Sequence, residues 1–149
     1  RAVLKHRRSL SDRHIREIAR RGGVVGVNYY SPQLVERGRA RIEDIVKHIE
    51  HIAAVGGIDC VALGSDFDGM GQDAYPEGLN NWKDVPKLIA ALQKAGFSES
   101  DIRKIACDNL LNYMKFRPVF RLRALCPLFR KPKAGCILSL CLHALPFVR

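Results

Sequence analysis

Ten residues, Cys60-Val-Ala-Leu-Gly-Ser-Asp-Phe-Asp-Gly69, limit most sharply what this chain can fold into. Cys60 to Leu63 is an apolar run too short for a helix, and it reads as a strand covered on both faces. The run ends at Gly64 and releases Asp66 and Asp68 into a turn closed by Gly69. In α/β proteins the chemistry sits at the carboxyl ends of such strands, because a rigid sheet there holds loops that point polar groups at a ligand. Asp66 and Asp68 are therefore a candidate site. Asp also favours turns through its own backbone hydrogen bonds, so on spacing alone a plain turn is the better reading.

The elements around this stretch alternate. Ser9 or Ser11 can cap a helix that carries Ile15, Ile18 and Ala19 at helical spacing and stops at Gly22-Gly23. Val24-Val-Gly-Val-Asn28 is a second buried strand, followed by Tyr29, Tyr30 and a charged loop over 31–41. A helix from about Ile42 to Val55 presents Ile45, Ile49 and Ile52 on one face. After the Asp turn, Gly69 to Asn81 is a Gly- and Pro-containing loop of the length that signals function more often than connection. Asp84 to Lys94 is helical through Val85, Leu88, Ile89 and Leu92, and Ser98 to Asp101 caps a last helix from Ile102 to about Tyr113. Helices between strands imply parallel strands joined by right-handed crossovers. Two such strands leave both edges open, so the expected fold class is α/β: the closing βα units of a (β/α)8 barrel, incomplete in this chain.

At 149 residues the chain is shorter than the about 250 residues of a full (β/α)8 barrel. Its net charge of +10 is uneven: residues 1–114 hold 17 Lys and Arg against 15 acids, whereas residues 115–149 hold 8 and no acid. The basic character therefore belongs to the tail. That tail interleaves Phe116, Val119, Phe120, Leu122 and Leu125 with Arg117, Arg121 and Arg123, and has prolines at 118, 127, 132 and 146. We read 1–114 as the body and 115–149 as a non-native or disordered terminus. The alternatives are a basic membrane-surface or nucleic-acid tail and, last, a lipid-anchor signal. Five cysteines, at 60, 107, 126, 136 and 141, form no CxxC pair and fit free thiols in a reducing compartment, with Cys60 and Cys107 as small buried hydrophobes. The N-terminal residues show no secretory h-region and lack an initiator Met, so a piece of something longer is expected. No apolar run reaches the ~18 residues of a membrane span.

Gly64-Ser-Asp-Phe-Asp-Gly69, Pro76-Glu-Gly-Leu79, Asp101-Ile-Arg-Lys-Ile105 and Asp108-Asn-Leu-Leu111 occur in the order and spacing of the membrane dipeptidase (renal dipeptidase, peptidase M19) family. Arg7-Arg8-Ser-Leu-Ser-Asp12 and Gly22-Gly-Val-Val-Gly-Val-Asn28 extend the pattern upstream. Over residues 1 to about 114 the chain thus resembles that family, and the combination is more specific than any one piece. The resemblance implies a (β/α)8 barrel with a two-metal centre, usually zinc, that hydrolyses dipeptides.

The family's metal ligands are an HxD pair, a bridging Glu and two later histidines, and none maps onto this sequence; the last would lie a few residues before Arg1. His6, His14, His48 and His51 align with no ligand. His48 and His51 stand three apart on a helix, a spacing that can bind metal, yet a helix outside a barrel does not face its site, so they read as surface or packing residues. The resemblance gives Arg8 the role of substrate contact, and Asp66 that of the active-site aspartate, which contacts substrate and handles a proton at the scissile bond. Asp68 has no assigned role. Asn28, Tyr29, Tyr30 and Asp68 are carried as candidates to line the site. The residue types suit dipeptide chemistry. Arg offers a fixed fork to a carboxylate or oxyanion, and a carboxylate binds an ammonium or passes a proton to a leaving amine.

The expected function is a metal-dependent dipeptidase, present as a C-terminal portion inactive by itself. The alternative is an inactive barrel remnant whose basic tail binds a membrane surface or nucleic acid. Expected partners are a dipeptide, the missing N-terminal part of the barrel and a second copy in a homodimer, with nucleic acid disfavoured. A cytoplasmic location is preferred over a membrane-anchored extracellular one.

Overall fold

Two parallel strands, each preceded by a helix, organise the computed structural model, which describes residues 2–115. Helix α1 spans Asp12–Arg20 and starts where expected, because Ser11 Oγ accepts the His14 N–H at 3.3 Å. Strand β1 is Val25–Asn28. The 31–41 segment, expected as loop, opens with a one-turn helix α2, Ser31–Leu34, for which Pro32 near its start is already set in φ. Buried Ser31 then accepts the Ala40 N–H at 3.2 Å, which closes the remainder of that loop on itself.

Helix α3, Ile42–Gly56, begins where the Arg41 N–H donates to Asp44 Oδ2 at 2.9 Å. Its predicted face is the centre of the core: Ile45 and Ile49 are fully buried and Ile52 nearly so. Against them pack Ile15 of α1, Val27 of β1 and Leu88 and Leu92 of α4, Val85–Lys94. His48 and His51 lie on α3 as packing residues. His48 Nε2 meets Leu34 O at 3.1 Å and His51 Nε2 meets Asp12 Oδ1 at 3.0 Å, which tie α3 to α2 and to the first turn of α1. Burial, ahead of the Leu34 carbonyl, pushes the His48 imidazole below its ordinary value and favours its neutral form.

The organising strand differs in its bounds from the expectation. Ile58–Cys60 is a 3₁₀ turn, and β2 runs Val61–Ser65, so Gly64 lies inside the strand instead of ending it. Cys60 is buried; Cys107 is only part-buried, and neither forms a disulfide among the described residues. Helices α5, Glu99–Arg103, and α6, Asn109–Lys115, are joined by a wide π turn over Lys104–Asp108, so the expected last helix is continuous but starts three residues earlier. Ser98 Oγ accepts the Asp101 N–H while Asp101 Oδ2 accepts the Ser98 N–H, a reciprocal box that fixes that start. The readings of the tail fall on residues 116–149, outside the described residues.

Asn109 fixes the origin of β2. Only 5% exposed, it donates through Nδ2 to Ile58 O and to Val61 O, both at 2.8 Å. These carbonyls flank the 3₁₀ turn that feeds the strand, so one amide holds the strand entry against the last helix. Asn109→Leu keeps the volume and removes both bonds. A loss of about 2–3 kcal/mol is expected, since an orphaned buried acceptor costs ~1–3 kcal/mol. Urea unfolding checks it, and a midpoint equal to that of the wild type at unchanged slope would remove this role from Asn109.

Candidate active site

Asn28 ends β1 and Asp66 follows β2, so both stand at the carboxyl edge of the parallel pair. Val25, Gly26 and Val27 face Val61, Ala62 and Leu63 in register; the pairing then slips, and Asn28 faces Ser65. An extra residue of this kind re-aims the side chains beyond it. Gly64 is the residue passed over. A Cβ there would stand 2.8 Å from the Gly26 carbonyl carbon and 3.0 Å from the Gly26 and Val27 oxygens, so the two backbones approach only because a glycine occupies the position.

Beyond the slip the chain turns sharply. Ser65 has φ 43 and Asp66 φ 76, the left-handed region that non-glycine residues rarely enter. Asp tolerates it better than most, and such residues concentrate at functional sites. The Tyr29 N–H donates to Ser65 O at 2.9 Å and the Gly69 N–H to Asp66 O at 3.3 Å, which pins the turn at both ends. The Asp66 side chain is exposed, and its Oδ2 accepts from Asn28 Nδ2 at 2.8 Å. Asn28 Oδ1 in turn accepts the Tyr30 N–H at 2.6 Å.

Aromatic rings support this turn from behind. Phe67 meets the Tyr29 ring edge-on at 5.4 Å between centroids and the Tyr75 ring at 5.9 Å, and the Tyr75 hydroxyl donates to Phe67 O. Arg39 clips the far side of the long loop: its Nε donates to Tyr75 O at 2.6 Å and its Nη2 to Asn80 Oδ1 at 2.9 Å. The Glu77 N–H adds a bond to Ala40 O at 2.8 Å. The loop over 69–81 is thus anchored through its second half, beside an exposed first half at 71–73.

Of the residues singled out in the sequence, Asn28, Asp66 and the Tyr30 amide come together. Tyr29 is 1% exposed and braces Phe67 from within the core. Asp68 is exposed on the turn, and Arg8 is exposed on the N-terminal segment, where its backbone N–H donates to His6 Nδ1 at 3.2 Å. Neither side chain is hydrogen-bonded or ion-paired to Asp66. Sequence reasoning missed Arg39 and Tyr75; a charged loop and a loop tyrosine carry no periodicity, and their roles exist only once the loops meet. Among the described residues no group of three or more His, Cys, Asp or Glu side chains is placed to hold a metal ion.

A profile of the membrane dipeptidase family, peptidase family M19, matches residues 1–117. The chain belongs to that family. Over 118 residues it is 36% identical to the "uncharacterized protein in pqqA 5'region" of Klebsiella pneumoniae, covering 76% of this chain and 42% of that relative. Among solved structures, it is similar to the dipeptidase AC, a metallo peptidase of family M19, at 31% identity and TM-score 0.68, over 74% of this chain and 33% of that one. A metallo peptidase from Rhodobacter sphaeroides, liganded with a phosphinate mimic of the dipeptide L-Ala-D-Ala, is also similar at 31% identity and TM-score 0.68, over 74% of this chain and 32% of that one. This M19 chain therefore spans less than half the length of the relatives it matches.

The brace behind the turn has a pH signature. Burial pushes the Tyr29 phenol well above the ordinary tyrosine value of 10.0. In the unfolded chain the phenol ionises near that ordinary value, so the unfolded state sheds a proton that the folded state retains. The stability Tyr29 contributes is therefore full below pH 10 and falls as pH rises beyond it. Absorbance at 295 nm during alkaline titration should include a phenol component that ionises only with unfolding, and Tyr29→Phe should remove that component. A titration curve below unfolding that loses a reversible component in Tyr29→Phe would refute the buried brace.

Proposed function

We propose that this chain is the C-terminal, substrate-facing portion of a metal-dependent dipeptidase, built from the closing βα units of a (β/α)8 barrel. The observation that carries the reading is Asp66: a carboxylate on a left-handed turn at the carboxyl edge of a parallel strand pair, fixed by Asn28, in a chain of the M19 family. Among the described residues β1 and β2 pair in a sheet only with each other, which supports the barrel, since buried parallel strands need neighbours on both sides.

Asp66 as a carboxylate receives the dipeptide's ammonium, or takes the proton that the attacking water gives up and hands it to the leaving amine as the C–N bond breaks. Arg8 supplies a planar fork of donors to the substrate carboxylate or to the developing oxyanion. The metal, zinc by the resemblance, would be held by the family's ligands, which do not map onto this sequence; among the described residues no donor group assembles a site. The dipeptide L-Ala-D-Ala, mimicked in the Rhodobacter relative, is the first substrate to try.

The test is complementation. The purified chain, incubated with zinc, is expected neither to retain the metal stoichiometrically nor to hydrolyse L-Ala-D-Ala. Refolding it with the N-terminal portion of the Rhodobacter relative that precedes the matched region is expected to give turnover. In that complex Asp66→Asn keeps the turn's backbone preference and should lower kcat by about 10²–10⁴, the usual worth of a placed proton carrier. Zinc binding with turnover by the chain alone would overturn the division of the site, and full activity of the Asp66→Asn complex would remove Asp66 from the chemistry.

A further inference from the structure

The side chain of Asn28 is fixed in one orientation by partners of unequal chemistry. Its Oδ1 accepts the Tyr30 N–H at 2.6 Å, and a backbone N–H can only donate. Its Nδ2 donates to Asp66 Oδ2 at 2.8 Å, and an ionised carboxylate can only accept. Turning the amide over would set two donors against each other at Tyr30 and two acceptors against each other at Asp66. The register slip after Val27 puts Asn28 opposite Ser65, next to Asp66, so the contact depends on the bulge and on the Gly64 approach that permits it. The bond joins residues 38 apart in sequence and is the side-chain link between the two strand ends.

The other oxygen of Asp66 has a different neighbour. A Cβ on residue 69 would lie 2.5 Å from Asp66 Oδ1, so Oδ1 packs over the bare face of Gly69 and can sit there only because that residue has no side chain. One oxygen is thus engaged by a neutral donor, and the other lies against Gly69 on an exposed residue. A neutral amide cannot take up or release the proton, so it holds the carboxylate in place without competing for the proton.

We infer that Asn28 is the positioning residue of Asp66: it holds Oδ2 and so makes Oδ1, above Gly69, the oxygen that meets the substrate amine and carries the proton. The inference rests on the reading of Asp66 as the substrate-facing carboxylate, and it adds which oxygen acts and what selects it.

The test uses the full chain, ¹⁵N- and ¹³C-labelled, and needs neither substrate nor metal, so its failure is separable from failure of the dipeptidase assay. In the wild type one of the two Asn28 side-chain NH₂ proton resonances should lie downfield of its free-amide position, with exchange against solvent slowed by about tenfold relative to a free amide, as a hydrogen bond to a charged group implies. Asp66→Gly relieves the left-handed φ while removing the carboxylate, and it should return that resonance to its free-amide position and restore fast exchange. Asn28→Asp keeps an acceptor for Tyr30 and deletes the donor. It should leave the Tyr30 amide resonance in place and shift the Asp66 carboxyl carbon. Gly69→Ala should move the same carboxyl carbon from the other side. Asn28 NH₂ resonances indifferent to Asp66→Gly, or an Asp66 carboxyl carbon unmoved in Asn28→Asp, would overturn the inference.

Discussion

The contact between Gly26 and Gly64 sets the geometry on which the candidate site depends. Parallel strands in a regular ladder would place Asn28 opposite Gly64 and leave Asp66 one step further from β1. The missing Cβ at Gly64 lets the backbones close to a distance at which any other residue would collide with the Gly26 carbonyl. The ladder then slips by one residue, and the Tyr29 N–H picks up Ser65 O on the far side of the slip. The turn that follows carries φ 43 and 76 on two residues that are not glycine. Such a backbone persists only where its surroundings over-determine it. Here they do: Asn28 holds the side chain, Gly69 closes the turn, and the Tyr29–Phe67–Tyr75 rings fill the space beneath.

This arrangement divides the stretch from Asp66 to Asn81 into fixed and free parts. Phe67, Tyr75, Pro76 and Leu79 are held in or against the core, and Arg39 binds the Tyr75 carbonyl directly. Gly71, Gln72 and Asp73 lie between those anchors and are exposed. The Arg41–Glu77 ion pair, at 3.5 Å and exposed on both sides, contributes little beside the buried rings and the Arg39 bonds. Aromatic packing and backbone bonds, more than surface charge, therefore carry the anchoring of the loop.

Most of the fold was legible because periodicity and capping are local properties. The α3 face of Ile45, Ile49 and Ile52, the Ser11 cap and the Ser98–Asp101 box all stand where the residues predicted them. The bounds of β2 were misread for a physical reason. A glycine after an apolar run usually ends a strand, whereas Gly64 permits a close backbone approach inside one, and only the partner strand reveals that. The site was legible in part. Asp66 was visible through its turn and the family pattern, whereas the work of Asn28 depends on a register 38 residues away. Tyr29 shows the limit from the other direction: placed next to Asn28 in sequence, it points into the core because successive residues of an extended chain face opposite sides.

The histidines of α3 are committed to packing, whereas the carboxylate at the strand ends is left exposed. His48 and His51 have metal-like spacing, yet their Nε2 atoms already serve the Leu34 carbonyl and Asp12, which fasten α3 to its neighbours. Recruiting them to an ion would cost those fastenings. It would also place the charge among helices, away from the strand ends where Asp66 stands. A carboxylate that moves a proton needs to be held still and left accessible, and the strand pair with its glycines meets both needs locally. A metal centre needs three or more donors converging on one point, whereas the Asn28–Asp66 contact needs only two strand ends brought into register. That contact is thus a property of one pair of βα units.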